Sequence, residues 1–251
     1  MSRTVLLIAG AATLFAGTVA AAITIPPYVA AAVADATRPQ ADRDLDPERK
    51  PAETLAFTGI KPGETVVDFM PGGGYFTRLF SDAVGPKGTV YAFVPSELGA
   101  HSNNPLPANG SHPDAARPNV TAIVAPVNQF AVPTPADIVW TSQNYHDLHD
   151  PFMGPADMKV FDTAVYNSLK PGGVFIVLDH AALPGSGVSA TNTLHRIDPA
   201  VVKAEVEAVG FKFVGESDIL RNPADTHTLR VFDPAIRHHT DQFIFKFRKP
   251  A

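Results

Sequence analysis

The sequence predicts a doubly wound α/β domain, and three observations carry that expectation. Short, continuous apolar runs rich in Val, Ile and Phe recur along the chain, the pattern of strands buried on both faces. Segments with helical spacing stand between them, which is the alternation of an open, mostly parallel sheet covered by helices. Glycine-rich turns separate the two kinds of segment, as at Gly72-Gly73-Gly74 and Lys170-Pro171-Gly172-Gly173. The 251 residues allow one full-sized domain or two small ones. A hydrophobic share of 45% supports a real core, so wholesale disorder is excluded. With 25 acidic against 20 basic residues, the chain lacks the basic surplus of a nucleic-acid binder. It has no cysteine, so it makes neither disulfides nor thiolate metal sites.

The N-terminus reads as a signal peptide over residues 1–36. Arg3 supplies the basic start, Val5 to Ile25 the apolar stretch, and Ala20-Ala21-Ala22 or Ala34-Asp35-Ala36 the small residues at a cleavage site. An uncleaved membrane anchor is the alternative, since about 20 apolar residues just span a bilayer. Export to the periplasm or medium is expected, and no later run is long and apolar enough to span a membrane. Residues 37–45 are polar and charged and read as a linker into a single domain over 46–251.

Within that domain, Pro51 to Thr58 has helical spacing and stops at Gly59. Thr65 to Phe69 is a β-branched strand, and the three glycines follow it at once. Tyr75 to Ala83 is helical, with Phe76, Leu79 and Phe80 on one face. Thr89 to Val94 is a second strand, and Pro95 to Pro118 is a long Pro/Asn/Gly/Ser-rich loop of the kind that is functional or mobile. Val120 to Val124 and Asp137 to Thr141 are further strands. A helix from Met158 to Leu169 precedes the strand Val174 to Leu178. Asp198-Pro199 caps a helix that reaches Val209 and ends at Gly210. Phe211 to Val214 and Gln242 to Phe247 are the last strands.

A strand ending in a carboxylate, then a glycine turn, then a helix lets backbone approach a nucleotide closely. A structural turn alone also uses glycine there. At Gly73 a β-branched side chain is expected to distort the turn.

Asp68–Gly74 with the flanking strand resembles the first motif of class I S-adenosylmethionine-dependent methyltransferases. Asp137-Ile138-Val139-Trp140 with Tyr145–Leu148, and Leu169–Phe175, are similar to that superfamily's later motifs, in the same order. More closely, Asp68–Gly74, Asn144–His149 and His195–Asp198 together resemble a group of exported bacterial predicted methyltransferases. The resemblance implies a seven-stranded sheet with a reversed last hairpin and S-adenosylmethionine as cofactor. It implies that Asp68, Gly72, Gly73 and Gly74 line the cofactor's methionine part. Three positions depart from the pattern: Met70 stands for its first glycine, Val94 for the acid that binds the ribose hydroxyls, and Ala125–Asn128 for the acid near the adenine. Glu97 is the nearest carboxylate to serve the ribose.

Asn144 to Asp150 (NYHDLHD) follows the carboxyl end of a strand, where ligands sit in open α/β sheets. Asp179-His180 ends the next strand at the same edge, and His195-Arg196 follows a Gly/Ser/Thr-rich loop. His146 and Asp147 are the candidate catalytic pair facing a small-molecule acceptor, with His146, near neutral pKa, as general base. Loop capping is the plain alternative for His146 and His149. Their i, i+3 spacing also permits a shared metal ion without requiring one, and no metal ligand is assigned. A non-catalytic ligand-binding protein on the same fold is the competing function. Nothing in the sequence fixes an oligomeric state.

Overall fold

The computed structural model describes residues 23–101, 105–154 and 156–251. Its centre is a seven-stranded sheet, with β1 at Thr65–Phe69, β2 at Thr89–Pro95, β3 at Val120–Ala125, β4 at Ala136–Ser142, β5 at Leu169–His180, β6 at Lys212–Ser217 and β7 at Gln242–Arg248. The strand order is β3-β2-β1-β4-β5-β7-β6. The five strands β1 to β5 run parallel, and β7 is antiparallel to both β5 and β6. The chain order reverses between β1 and β4, so a crevice opens at the carboxyl ends of these two strands.

Alternate strand residues feed two cores because side chains alternate across a sheet. Val67, Phe69, Phe93, Val139, Phe175 and Phe245 pack beneath helices α6 (Met158–Ser168) and α8 (Pro199–Ala208). Val66, Val90, Ile138, Trp140, Ile176 and Ile244 pack beneath α1 (Pro27–Val33), α4 (Pro51–Thr58) and α5 (Tyr75–Val84). Three further short helices are α2 (Gln40–Arg43), α3 (Asp46–Arg49) and α7 (Thr191–Leu194). No helix among the described residues is long and apolar enough to cross a membrane.

The segment expected as signal end and linker is folded instead. The apolar stretch up to Ala22 lies outside the described residues, but from Pro27 onward the chain is helical and packed. Val29 and Ala32 are buried against α4 and α5. Two of the four charges of residues 37–45, which suggested solvated chain, are taken up in ion pairs, Arg38 and Asp42. Arg38 grips Asp46 with two bonds of 2.9 and 2.7 Å, and Arg78 grips Asp42 with two of 2.7 and 2.8 Å. Tyr75 donates to Asp46 at 2.6 Å. These pairs clamp α2 and α3 onto the start of α5, beside the glycine turn. A chain beginning at Thr37 is therefore expected to be at least about 2 kcal/mol less stable than one beginning at Ile23, as uncovering Val29 and its partners requires. Urea titration of the two chains measures this.

Candidate active site

Two clefts meet at the glycine turn. The larger, about 950 Å³, lies between the turn after β1 and the long loop after β2, against Ala92 and Val94 of β2 and Val120 and Ala122 of the first half of β3. Its walls include Ala92, Val94, Leu98, Leu106 and Ala122, so this half is mainly apolar. The smaller, about 550 Å³, holds Arg49, Asp68, Tyr75, His146, Asp147 and His195. Met70, Pro71, Gly72, Gly73 and Asn144 line both.

The turn has the backbone that the glycines allow. Gly72 and Gly74 have φ of +54° and +78°, conformations that side chains other than glycine enter at a cost. Met70 shares that region at φ 54° although it is not glycine. It is pinned there: its N–H donates to the Phe93 carbonyl and its carbonyl accepts from Asn144 Nδ2, both at 2.9 Å. Gly73 does not have positive φ, which corrects the reason for expecting distortion at that position. A Cβ built at Gly73 meets nothing within 4 Å, so a side chain there would stand in the cleft. Helix α5 starts at Gly74 without a side-chain cap, leaving its first amides toward the turn.

Asp68 is buried at the end of β1, and Thr77 of α5 donates to it at 2.6 Å. Burial pushes its carboxyl up to about 7, against the Thr77 hydrogen bond and the charge of Arg49. Arg49 stacks 4.4 Å from the Tyr75 ring and has no ion pair with a described carboxylate. The folded pKa of Asp68 lies above the unfolded value of about 3.9, so the folded chain keeps a proton the unfolded chain has lost. That contribution to stability is complete below about pH 4 and is lost as the pH rises to about 7. Asp68→Asn is expected to remove this slope and to be more stable than the parent above about pH 7. Urea unfolding across that range checks it.

Glu97, expected at the ribose, is turned elsewhere. Its carboxylate accepts the Val127 N–H at 3.0 and 3.2 Å, and it does not line either cleft. It caps the turn after β3 because that amide has no partner in the sheet. Val94 remains the wall where the acid would stand.

His146 and Asp147 do face the smaller cleft, in a 3₁₀ turn after β4. The His146 backbone N–H and Nδ1 both reach Asp179, each at 2.8 Å, and His180 N–H adds a third bond of 2.7 Å to that buried carboxylate. His146 Nε2 lies 3.3 Å from both Asp147 Oδ1 and His195 Nδ1. Burial pulls the His146 imidazole down, but Asp179 and Asp147 outweigh it and hold its pKa up at about 10. This corrects the expectation of a near-neutral base, since the two carboxylates keep its proton. Asp147 is raised by burial but lowered further by His146 and His195, leaving it below the usual carboxylate range.

His149 does not share a site with His146. It turns to Glu205 of α8 at 3.2 Å, and the Tyr145 hydroxyl lies between Glu205 and Asp162, at 3.1 and 2.9 Å from their carboxyl oxygens. These two residues tie the 3₁₀ turn to α6 and α8. His180 is held by Thr240 at 2.7 Å, and burial lowers it to about 3. His195, Asp179 and Arg49 are the site residues that sequence reading left unassigned. Asp179 was signalled by its place at a strand end, and His195, which closes α7, by its place after a Gly/Ser/Thr-rich loop and in the His195–Asp198 motif.

Sequence comparison finds no matching family model and no matching curated relative. The fold, by contrast, recurs among solved structures. A SAM-dependent methyltransferase from Aquifex aeolicus aligns with a TM-score of 0.52 at 18% identity, covering 84% of this chain and 98% of that one. The N-methyltransferase NodS from Bradyrhizobium japonicum WM9 gives 0.50 at 12%, covering 84% and 99%. The glycopeptide N-methyltransferase MtfA, complexed with sinefungin, gives 0.52 at 14%, covering 82% and 87%. The chain has the Rossmann-like fold of class I S-adenosylmethionine-dependent methyltransferases.

Proposed function

We propose that this protein transfers a methyl group from S-adenosylmethionine to a small molecule. The observation that carries the reading is the shared glycine turn, which joins a large apolar cleft to a small polar one holding Asp68, His146 and Asp147. S-adenosylmethionine, when bound, supplies an electrophilic methyl on a cationic sulfur. The residues fit its methionine half: Gly72, Gly73 and Gly74 leave room for close approach, Asp68 offers a buried carboxylate to a cation, and Arg49 offers a free cation to a carboxylate. The nucleoside half would rest on Ala92, Val94 and Leu98 without an acid for its hydroxyls. On the other side, ionised Asp147 would accept the acceptor's proton, with His146 and Asp179 holding it in place. The test is incubation with methyl-labelled S-adenosylmethionine and a small-molecule extract. Labelled product from the parent and none from Asp147→Asn supports the reading.

The absent ribose acid favours a second reading, an exported protein that binds an apolar ligand without turnover. Binding of S-adenosylmethionine and of apolar probes to the same preparation separates the two. Export itself we propose from the first 25 residues. Because α1 is part of the core, cleavage would fall at Ala20-Ala21-Ala22, leaving a mature chain that starts near Ile23. N-terminal sequencing of the exported protein tests this.

A further inference from the structure

We propose that His146, Asp147 and His195 form a binding site for one divalent transition-metal ion, of which Zn²⁺ is the best match. Their three ligand atoms, His146 Nε2, Asp147 Oδ1 and His195 Nδ1, lie within 4.8 Å of one another. The separations are 3.3 Å between His146 and Asp147, 3.3 Å between the two imidazoles and 3.8 Å between His195 and Asp147. These spacings are long for hydrogen bonds, whose N–H···O distances centre near about 2.9–3.0 Å. The two involving His146 match the roughly 3.3 Å edge between ligands on a tetrahedral ion with bonds of about 2.0–2.1 Å, and the His195–Asp147 edge is 3.8 Å, a few tenths of an ångström wider.

The surroundings orient the ligands as a metal needs. Asp179 accepts from His146 Nδ1 at 2.8 Å, so Nε2 is the nitrogen turned to the site, where a bound ion would displace its proton, the carboxylate–histidine arrangement that supports metal ligation. His195 is held at φ 54°, a strained conformation for a non-glycine residue, which brings its ring to the same point. Asp150, buried nearby beside Thr191, lies close enough to His146, Asp147 and His195 to feel their charges. The buried cation Arg196 is already paired with Asp225 at 2.9 Å, and Arg49 lines the same cleft. Arg230, exposed, lies 3.0 Å from His195 Nε2, a contact that would have to part once that nitrogen carries the proton in the metal-bound form. Two imidazoles and one carboxylate suit borderline ions such as Zn²⁺ rather than Mg²⁺ or Ca²⁺. The ion's remaining position faces the smaller cleft, where an acceptor oxygen would meet it. The site stands on these distances whether or not the protein transfers methyl groups.

The test is calorimetric titration of Zn²⁺ into the chelator-stripped full chain, with Co²⁺ absorption as a second readout. One ion per chain at submicromolar affinity is expected, and Co²⁺ gives a tetrahedral spectrum. Asp147→Asn and His195→Asn should each weaken binding by about 100-fold or more, and Asn tolerates the left-handed backbone at position 195. His149→Gln, whose ring faces Glu205, leaves binding unchanged. No stoichiometric binding by the folded parent, or equal binding by both site variants, overturns the proposal. S-adenosylmethionine is titrated into the same samples, so loss of one site is read separately from loss of the other.

Discussion

A Gly73→Val chain is expected to fold like the parent and to bind S-adenosylmethionine at least about 100-fold more weakly, the scale of a steric block worth about 3 kcal/mol. The turn itself tolerates the change, because Gly73 lacks positive φ and its built Cβ touches nothing. The added methyls stand where both clefts share a wall. Gly72→Val is the contrasting case: at φ +54° it forces a β-branched residue into a left-handed backbone and should lower stability as well. Thermal melts together with ligand titration of both variants separate blockage from distortion. A Gly73→Val chain that binds as the parent does would place the ligand elsewhere.

Asp147→Asn is expected to lower turnover by about 10²–10⁴-fold, the usual worth of a positioned proton acceptor. The substitution keeps the size and position of the side chain and removes its charge. Affinity for S-adenosylmethionine should change little, since the glycine turn and Asp68 lie on the other side of the cleft. His146→Asn should act in the same direction: Asn still reaches Asp179 but presents nothing to Asp147, which then loses its 3.3 Å neighbour. Unchanged turnover in both variants, with normal melts, would remove this pair from the reaction.

Local pattern was enough for the sheet. Thr65–Phe69 and Gln242–Arg248 are strands where their apolar and alternating runs say so, and α5 follows the glycines because Phe76, Leu79 and Phe80 need one buried face. The N-terminal helices were illegible for a physical reason. Arg38, Asp42 and Asp46 look solvated in sequence, and only the fold supplies Arg78 and Tyr75 as their partners. The same limit applies at the site. Spacing brings His146 and His149 onto one turn but does not tell that their rings diverge, one to Asp179 and the other to Glu205. His195 joins His146 from 49 residues away, across the sheet edge. Glu97 is near the right strand end, yet an unsatisfied amide at Val127 claims it. Met70 shows the reverse: the residue departs from the pattern while the backbone keeps the conformation a glycine would take.

S-adenosylmethionine is expected at the turn over Gly72–Gly74. The most direct measurement is calorimetric titration of the full chain with S-adenosylmethionine and S-adenosylhomocysteine, beside the Gly73→Val chain. One site per chain in about the micromolar range for the parent, and none for the variant, is the expected result. No heat from either compound up to about 1 mM with a folded parent, or equal binding by the variant, would contradict it.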